Sequence, residues 1–263
     1  MKKTVFIIMT ALLWISLSPA HLLSQTEGQT SQLYLIAEFI IKPSLVGPYE
    51  AVVKEFFELQ AEHNFAYPIN GFNMDDFHYF YGIPLKNYDE LDEFFKAKKE
   101  HIAKVGSPKW QELIQRESAA YEYYKYALYL YEPDLSYAPE NPRLKPEEMS
   151  FISYQFCSVL PGRDKEFKEV LKEWAALHRE KGIADGFETY KGDIGTEKPF
   201  YILCMRAKSA EDYRIQENKI FEILGEEKVM KLREKTAALL RKYEKKTGWS
   251  RQDLSYVPKG MRP

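Results

Sequence analysis

The chain has 263 residues, of which 45% are hydrophobic and 15% aromatic. That is enough apolar content for one large core or two small ones, and it excludes extensive disorder. With 37 basic residues against 39 acidic ones, a net charge of −2 and no Lys/Arg cluster, the chain lacks the electrostatic footprint of a nucleic-acid-binding protein.

Lys2 and Lys3 precede an uncharged apolar run from Val5 to Leu17. Small residues Ser18-Pro19-Ala20 follow, with Leu23-Ser24 as a second cleavage candidate. This is the layout of a secretory signal peptide over residues 1–24. The rival reading is an uncleaved anchor, but the run is short for a span and Pro19 interrupts it. The Lys-Lys start resembles a bacterial signal, so the expected location is the periplasm or the medium. No later segment could span a bilayer.

A polar tether, 25–32, leads to a β-rich run from Leu33 to Ile41. Pro43, Gly47 and Pro48 break it, and Val52, Val53, Phe56, Phe57 and Gln60 then keep helical spacing. Phe72 to Ile83 predicts a hairpin turning at Asp75-Asp76. Asn87 starts a helix, Gly106-Ser107-Pro108 interrupts it, and Trp110, Leu113, Ile114, Ala120, Tyr121 and Tyr124 share a helical face. A last strand is expected from about Tyr129 to Tyr137.

Pro139, Pro142 and Pro146 mark a linker, 139–149. Beyond it the plan recurs. A strand from Ser150 to Leu160 precedes a helix stripe of Phe167, Val170, Leu171, Trp174 and Leu177. Strands to Lys191 and from Phe200 to Met205 follow. Ser209 caps a helix that Gly225 interrupts and that Val229, Leu232, Leu239, Leu240 and Tyr243 continue, and Trp249 to Tyr256 is the final strand. Asp134-Leu135-Ser136-Tyr137-Ala138-Pro139 returns as Asp253-Leu254-Ser255-Tyr256-Val257-Pro258. Two copies of one β-α-β-β-α-β unit, 33–138 and 150–258, with a tail at 259–263, account for this recurrence. Packing their bare sheet faces together would close the core.

On that order and spacing, the chain resembles the dimeric α+β barrel superfamily, which includes antibiotic-biosynthesis-type monooxygenases, EthD-like and NIPSNAP-like proteins, and haem enzymes related to chlorite dismutase. The resemblance covers about residues 33–258 and rests on no catalytic motif. It implies an α+β fold of two tandem ferredoxin-like units forming a pseudo-dimeric barrel, with a cavity between the sheets for a small, largely apolar ligand.

Alternation along the strands sorts the residues that could serve such a cavity. The row Leu33, Leu35, Ala37, Phe39 and Ile41 should meet the helices, leaving Glu38 inside the barrel. Matching Glu38 with Gln155 puts Ile152, Tyr154 and Phe156 toward the helices, and Gln155 and Cys157 inside. His78 should share Glu38's inner face, with Asn73 and Glu188 near it on the second strands. Glu38, His78, Asn73, Gln155 and Glu188 are therefore the candidate ligand-binding residues, and Glu38 and His78 the candidate catalytic ones. A carboxylate beside an imidazole could handle protons in a cofactor-free oxygenase or isomerase. The same residues could equally satisfy one another structurally.

His63 and His178 both fall near the end of a first helix, where the dipole alone favours them. The resemblance to chlorite dismutase makes either a candidate haem axial ligand, although the sequence predicts no cofactor. No cluster has metal-ligand spacing, so no metal is expected. Cys157 and Cys204 fall on neighbouring strands, on one face by this alignment, and could be bridged or free. The tyrosines from Tyr121 to Tyr137, with Tyr123 and Tyr126 off the helical stripe, could instead present a surface to a protein partner in the envelope.

Overall fold

The computed structural model describes residues 31–261. Residues 1–24, expected to be a signal peptide, and the tether up to residue 30 lie outside the described residues. The first half runs β1 (Gln32–Ile41), α1 (Val46–Glu62), β2 (Asn70–Met74), β3 (His78–Leu85), α2 (Glu90–Val105), α3 (Ser107–Ala120) and β4 (Tyr121–Tyr131). The second runs β5 (Phe151–Val159), α4 (Asp164–Glu180), β6 (Phe187–Gly192), β7 (Phe200–Ala207), α5 (Ala210–Leu224), α6 (Glu226–Ala237) and β8 (Leu240–Ser250). The order of elements is the same in both.

Local chemistry sets the helix boundaries. Asn87 Oδ1 accepts the Glu90 N–H at 3.1 Å and Ser209 Oγ accepts the Asp212 N–H at 3.1 Å, each satisfying an orphan donor at a helix start. Gly106 at φ 90° and Gly225 at φ 87° divide the second helix of each half into two. A side chain there would be strained, so glycine fixes both breaks.

All eight strands pair antiparallel in a closed barrel ordered β1-β3-β2-β8-β5-β7-β6-β4. The first half contributes β4-β1-β3-β2 and the second β8-β5-β7-β6, the strand order of a ferredoxin-like sheet. They are joined where β2 meets β8 and where β4 meets β6. Closure leaves no sheet edge to manage. Among the described residues no helix is long and apolar enough to cross a membrane.

The last strand of each half lies earlier than its sequence suggests. Tyr121 and Tyr124 belong to β4, not to a helix stripe, and Leu240 and Tyr243 belong to β8. In β4, Tyr-Glu-Tyr-Tyr-Lys-Tyr carries the aromatic content that suits a pleated surface. The lysine-rich β8 has no such propensity; it is a strand because β5 and β2 flank it. The stretches expected as strand ends instead form short 3-10 turns, Pro133–Leu135 and Gln252–Leu254.

Those turns carry the repeated Asp-Leu-Ser-Tyr segment, and each clasps the opposite half. Tyr137 exchanges backbone hydrogen bonds with Phe187 of β6, both 2.9 Å, and Tyr256 does so with Ile69 beside β2, both 2.8 Å. Ser136 Oγ accepts the Thr189 N–H at 2.9 Å and donates to Glu132 O. Ser255 Oγ accepts the Gly71 N–H at 2.8 Å and donates to Arg251 O. Leu135 and Leu254 are buried beneath. The linker is pinned as well: Arg143 bridges Asp185 and Asp212, each at 2.9 Å.

Facing residues fill two kinds of core. In the first half Leu33, Leu35, Ala37, Phe39 and Ile41 pack on the helices with Tyr49, Val53, Tyr79, Tyr81 and Ile83, as alternation along β1 requires. The barrel interior holds Met74, Ile152, Tyr154 and Cys204, with Phe72, Phe80, Phe156, Tyr190 and Ile202 against them. For β5 this reverses the expectation: Ile152, Tyr154 and Phe156 point inward, whereas Gln155 and Cys157 point to the helices. The bulges give the true equivalence. Pairing slips between Ile40 and Ile41 and again between Ser158 and Val159, so Ile41 corresponds to Val159 and Glu38 to Phe156. An alignment one residue off exchanges the two faces of a strand. Both rows of β5 are largely apolar, so periodicity could not expose the error.

Candidate functional site

Three places gather polar side chains around apolar walls. At one end of the barrel interior, Glu38 Oε1 lies 2.8 Å from His78 Nδ1 and its Oε2 lies 2.9 Å from Lys125 Nζ. His78 Nε2 is 3.8 Å from Asp76, which pairs with Lys246 at 2.6 Å. Burial alone would raise the Glu38 carboxyl. The bonds from His78 and Lys125 outweigh it and hold the group below the usual range. The anticipated pair therefore exists, but as an ionised carboxylate with both oxygens occupied. The sequence hides Lys125 because the helical spacing of Tyr121 and Tyr124 masks the start of β4.

A second cluster occupies the interior under the linker. Glu188 is 2% exposed. Its Oε2 accepts from Arg206 at 3.1 Å and from the Tyr190 hydroxyl at 3.2 Å, while Oε1 has no partner. Tyr34 meets Tyr190 edge-on at 5.8 Å. Burial, with the Glu188 charge next, pushes the Tyr34 hydroxyl far above its ordinary value. Tyr34 and Glu38 stand four residues apart on β1, about 13 Å of strand, so Glu188 and Glu38 serve opposite ends. A cavity of about 20 Å³ adjoins Glu188 and Arg206, room for about one water.

Two expected partners are elsewhere. Asn73 alternates with Phe72 and Met74, which face inward. It pairs with Tyr79 and turns to the helix side, where its Oδ1 is buried without a partner. Gln155 also lies outside the barrel, its amide 3.8 Å from Met205 Sδ. Phe72, Phe80, Tyr154, Phe156, Tyr190 and Ile202 line the barrel interior between the sheets.

The large cavity, about 700 Å³, lies outside the barrel between the second half's sheet and helices α4, α5 and α6. Gln155, Cys157, Leu203, Trp174, Ile220 and Phe221 are among its walls. Comparing the halves shows what opens it. By the register above, Cys157 stands where the first half has Phe39, and by the matching β3 and β7 spans Leu203 stands where it has Tyr81. In the first half Phe39 packs against Tyr49, Tyr81, Tyr121 and Tyr124 at 5.4–5.9 Å, filling the equivalent space. Aromatic rings replaced by a thiol and a leucine leave room between sheet and helix that backbone spacing does not close. That substitution of large by small residues was the available sequence signal.

The two candidate histidines now separate. His63 sits at the end of α1 against His101, 5.8 Å between rings, beside a packed core. His178 lines the large cavity. Its Nδ1 lies 2.8 Å from the Trp174 carbonyl, which fixes that nitrogen as the donor and leaves Nε2 with the lone pair. Burial lowers its pKa, the Trp174 bond working the other way. The cavity's volume falls in the range of small-molecule sites. Much of the wall is apolar, and His178 is the one histidine among its lining residues. Among the described residues no group of three or more His, Cys, Asp or Glu is placed around a metal ion.

Cys157 and Cys204 are both buried free thiols. Cys157 faces the cavity side and Cys204 the barrel interior, so a bridge between them would have to cross the sheet. Burial pushes the Cys157 thiol up to about 12.

The architecture is an α+β barrel closed from two ferredoxin-like sheets. Solved structures with this fold include a candidate monooxygenase from Lactobacillus acidophilus NCFM, with TM-score 0.52, 11% identity, and 87% of this chain and 97% of that one covered. An anthrone oxidase-like protein matches at TM-score 0.52 and 12% identity, with 83% and 91% covered. A mutant chlorite dismutase from Candidatus Nitrospira defluvii matches at TM-score 0.50 and 10% identity, with 85% and 92% covered. Identities this low carry the fold alone. No family model matches the sequence, and no curated protein does.

Proposed function

We propose that this chain arose by tandem duplication and binds a small, largely apolar molecule in the cavity of its second half. The single observation behind this is the contrast between the halves, where Phe39 and Tyr81 fill a space that Cys157 and Leu203 leave open. A protein needing only a stable fold gains nothing from such a space, because an unfilled apolar volume costs packing energy. Restoring the first half's residues, Cys157→Phe with Leu203→Tyr, tests it. The wild type should bind the neutral fluorophore N-phenyl-1-naphthylamine saturably, one per chain. The filled variant, folded by circular dichroism, should not. Equal binding by both would remove the cavity from consideration.

A second reading makes the ligand haem, with His178 as axial ligand. The pinned Nδ1 and the cavity-lining position of His178 favour it. Bound haem would supply redox chemistry at the open side of its ring; His178 would hold it and the apolar walls would exclude water. Haemin titration should then give a Soret band that His178→Ala shifts and His63→Ala leaves alone.

The Glu38–His78 pair supports a cofactor-free oxygenase or isomerase less well, because both carboxylate oxygens are already engaged. The exposed Tyr123 and Tyr124, 48% and 49%, keep a protein partner in the envelope as the reading from a different class. For location we retain export by residues 1–24, which N-terminal sequencing of the cell-expressed protein tests.

A further inference from the structure

Six basic residues line the large cavity: Arg143, Arg206, Arg233, Arg241, Lys242 and Lys245. Five are neutralised by the protein itself. Arg143 pairs with Asp185 and Asp212, and Arg206 with Glu188 at 3.1 Å. Arg241 pairs with Glu197 at 2.7 Å, Lys242 with Glu244 at 2.8 Å, and Lys245 with Glu217 at 2.8 Å. Arg233 alone has no carboxylate partner among the described residues. Its guanidinium instead lies 5.3 Å from the centre of the Phe221 ring, a residue that itself forms part of the cavity wall.

Arg233 is exposed, but the ring beneath it has two consequences. Stacking on an aromatic face orients the guanidinium plane and reduces the freedom it would lose on binding. It also leaves the N–H fork, which suits planar anionic oxygens, unspent. The acids of the cavity lining, Asp185 and Glu217, are already paired, so they would not repel an entering anion at full strength. Phe221, Leu224 and Val229 are among the apolar residues of the same wall.

We propose that Arg233 is the specificity-determining residue of this cavity, and that its ligand is an amphipathic organic anion whose apolar body fills the space and whose anionic oxygen group docks on the guanidinium. This rests on the cavity being the binding site. The shared chemistry is the anion on an apolar body; a carboxylate and a phosphate monoester are its two sources.

The test displaces N-phenyl-1-naphthylamine from the intact protein with decanoate, decyl phosphate or decanol, comparing the wild type with Arg233→Gln and Arg233→Lys. In the wild type at least one anion should displace the probe at a concentration about tenfold or more below that of decanol, the value of one charge-assisted contact. Arg233→Gln should erase that preference, so that anions and decanol displace the probe at similar concentrations, and Arg233→Lys should retain part of it. Whichever of decanoate and decyl phosphate is favoured identifies the group. A probe that binds but shows no anion preference, or a preference that survives Arg233→Gln, overturns the role of Arg233 and leaves the cavity standing. A probe that does not bind at all overturns the cavity reading, and this inference with it.

Discussion

Tyr137, at the end of the first half, and Phe187, on a strand of the second, hold each other by two backbone hydrogen bonds of 2.9 Å. Tyr256 and Ile69 make the reciprocal pair, so each copy of the repeated segment leaves its own half and fastens the other. The serines complete both clasps by accepting one backbone N–H and donating to one carbonyl. Ser136→Ala strands the buried Thr189 N–H and should cost about 1–3 kcal/mol. Ser255→Ala should cost about the same through Gly71. The sites share no partner, so the double variant should lose the sum to within about 0.5 kcal/mol. Urea denaturation of the three variants measures this; a strongly sub-additive double variant would mean the two clasps are not separate.

The clasp also explains two glycines. A Cβ at Gly186 would sit 2.5 Å from the Tyr137 carbonyl oxygen, and one at Gly71 would overlap Leu254 O. Neither neighbour can yield without opening the clasp. Gly186→Ala and Gly71→Ala should each destabilise by about 2 kcal/mol or more. Gly47→Ala, which meets nothing within 4 Å, should be nearly neutral. Melting temperatures of the three variants decide it.

How much of this was legible in the sequence follows from where local and tertiary signals agree. The common order of elements in the two halves, the helix breaks at Gly106 and Gly225, the caps at Asn87 and Ser209, and the meeting of Glu38 with His78 rest on local chemistry and alternation, and they hold. The placement of Gln155 fails because matching it with Glu38 is one residue off, in a strand whose two rows differ little in polarity. Asn73 fails for a related reason: a five-residue strand carries too little alternation to set its phase. β8 was hidden because its strand character comes from its neighbours. The cavity was hidden because it is an absence, visible only when Cys157 and Leu203 are laid on Phe39 and Tyr81.

Glu117 on α3 gives the fold a pH dependence of a definite sign. Burial raises its carboxyl to about 7, with Lys98 only partly opposing. The folded state thus binds its proton more tightly than the unfolded chain, whose carboxyl titrates near 4.5. Stability should be greatest below about pH 4.5 as far as this group is concerned, fall between 4.5 and 7, and be level above. The loss is on the order of 3 kcal/mol at most. Glu117→Gln should flatten the slope between pH 5 and 7 and raise stability at pH 8. An unchanged slope in the variant would assign the titration elsewhere.

Glu188 and Arg206 make the opposite kind of commitment, an ion pair inside the barrel with the Glu188 side chain almost wholly withdrawn from water and the Arg206 side chain mostly so. Removing one member leaves the other buried and uncompensated, so Glu188→Gln or Arg206→Met alone should cost about 3–5 kcal/mol. Replacing both together, Glu188→Gln with Arg206→Met, should recover much of that loss, because no bare charge remains. Arg206 also lies 5.9 Å from the Phe72 ring, a contact from the second half's strand β7 onto the first half's β2, which the thioether of methionine can partly replace. Chemical denaturation of the two single variants and the double variant gives the coupling energy directly. A double variant no more stable than the worse single one would mean that the pair is held for something other than mutual neutralisation, and would direct attention to the partnerless Oε1 of Glu188.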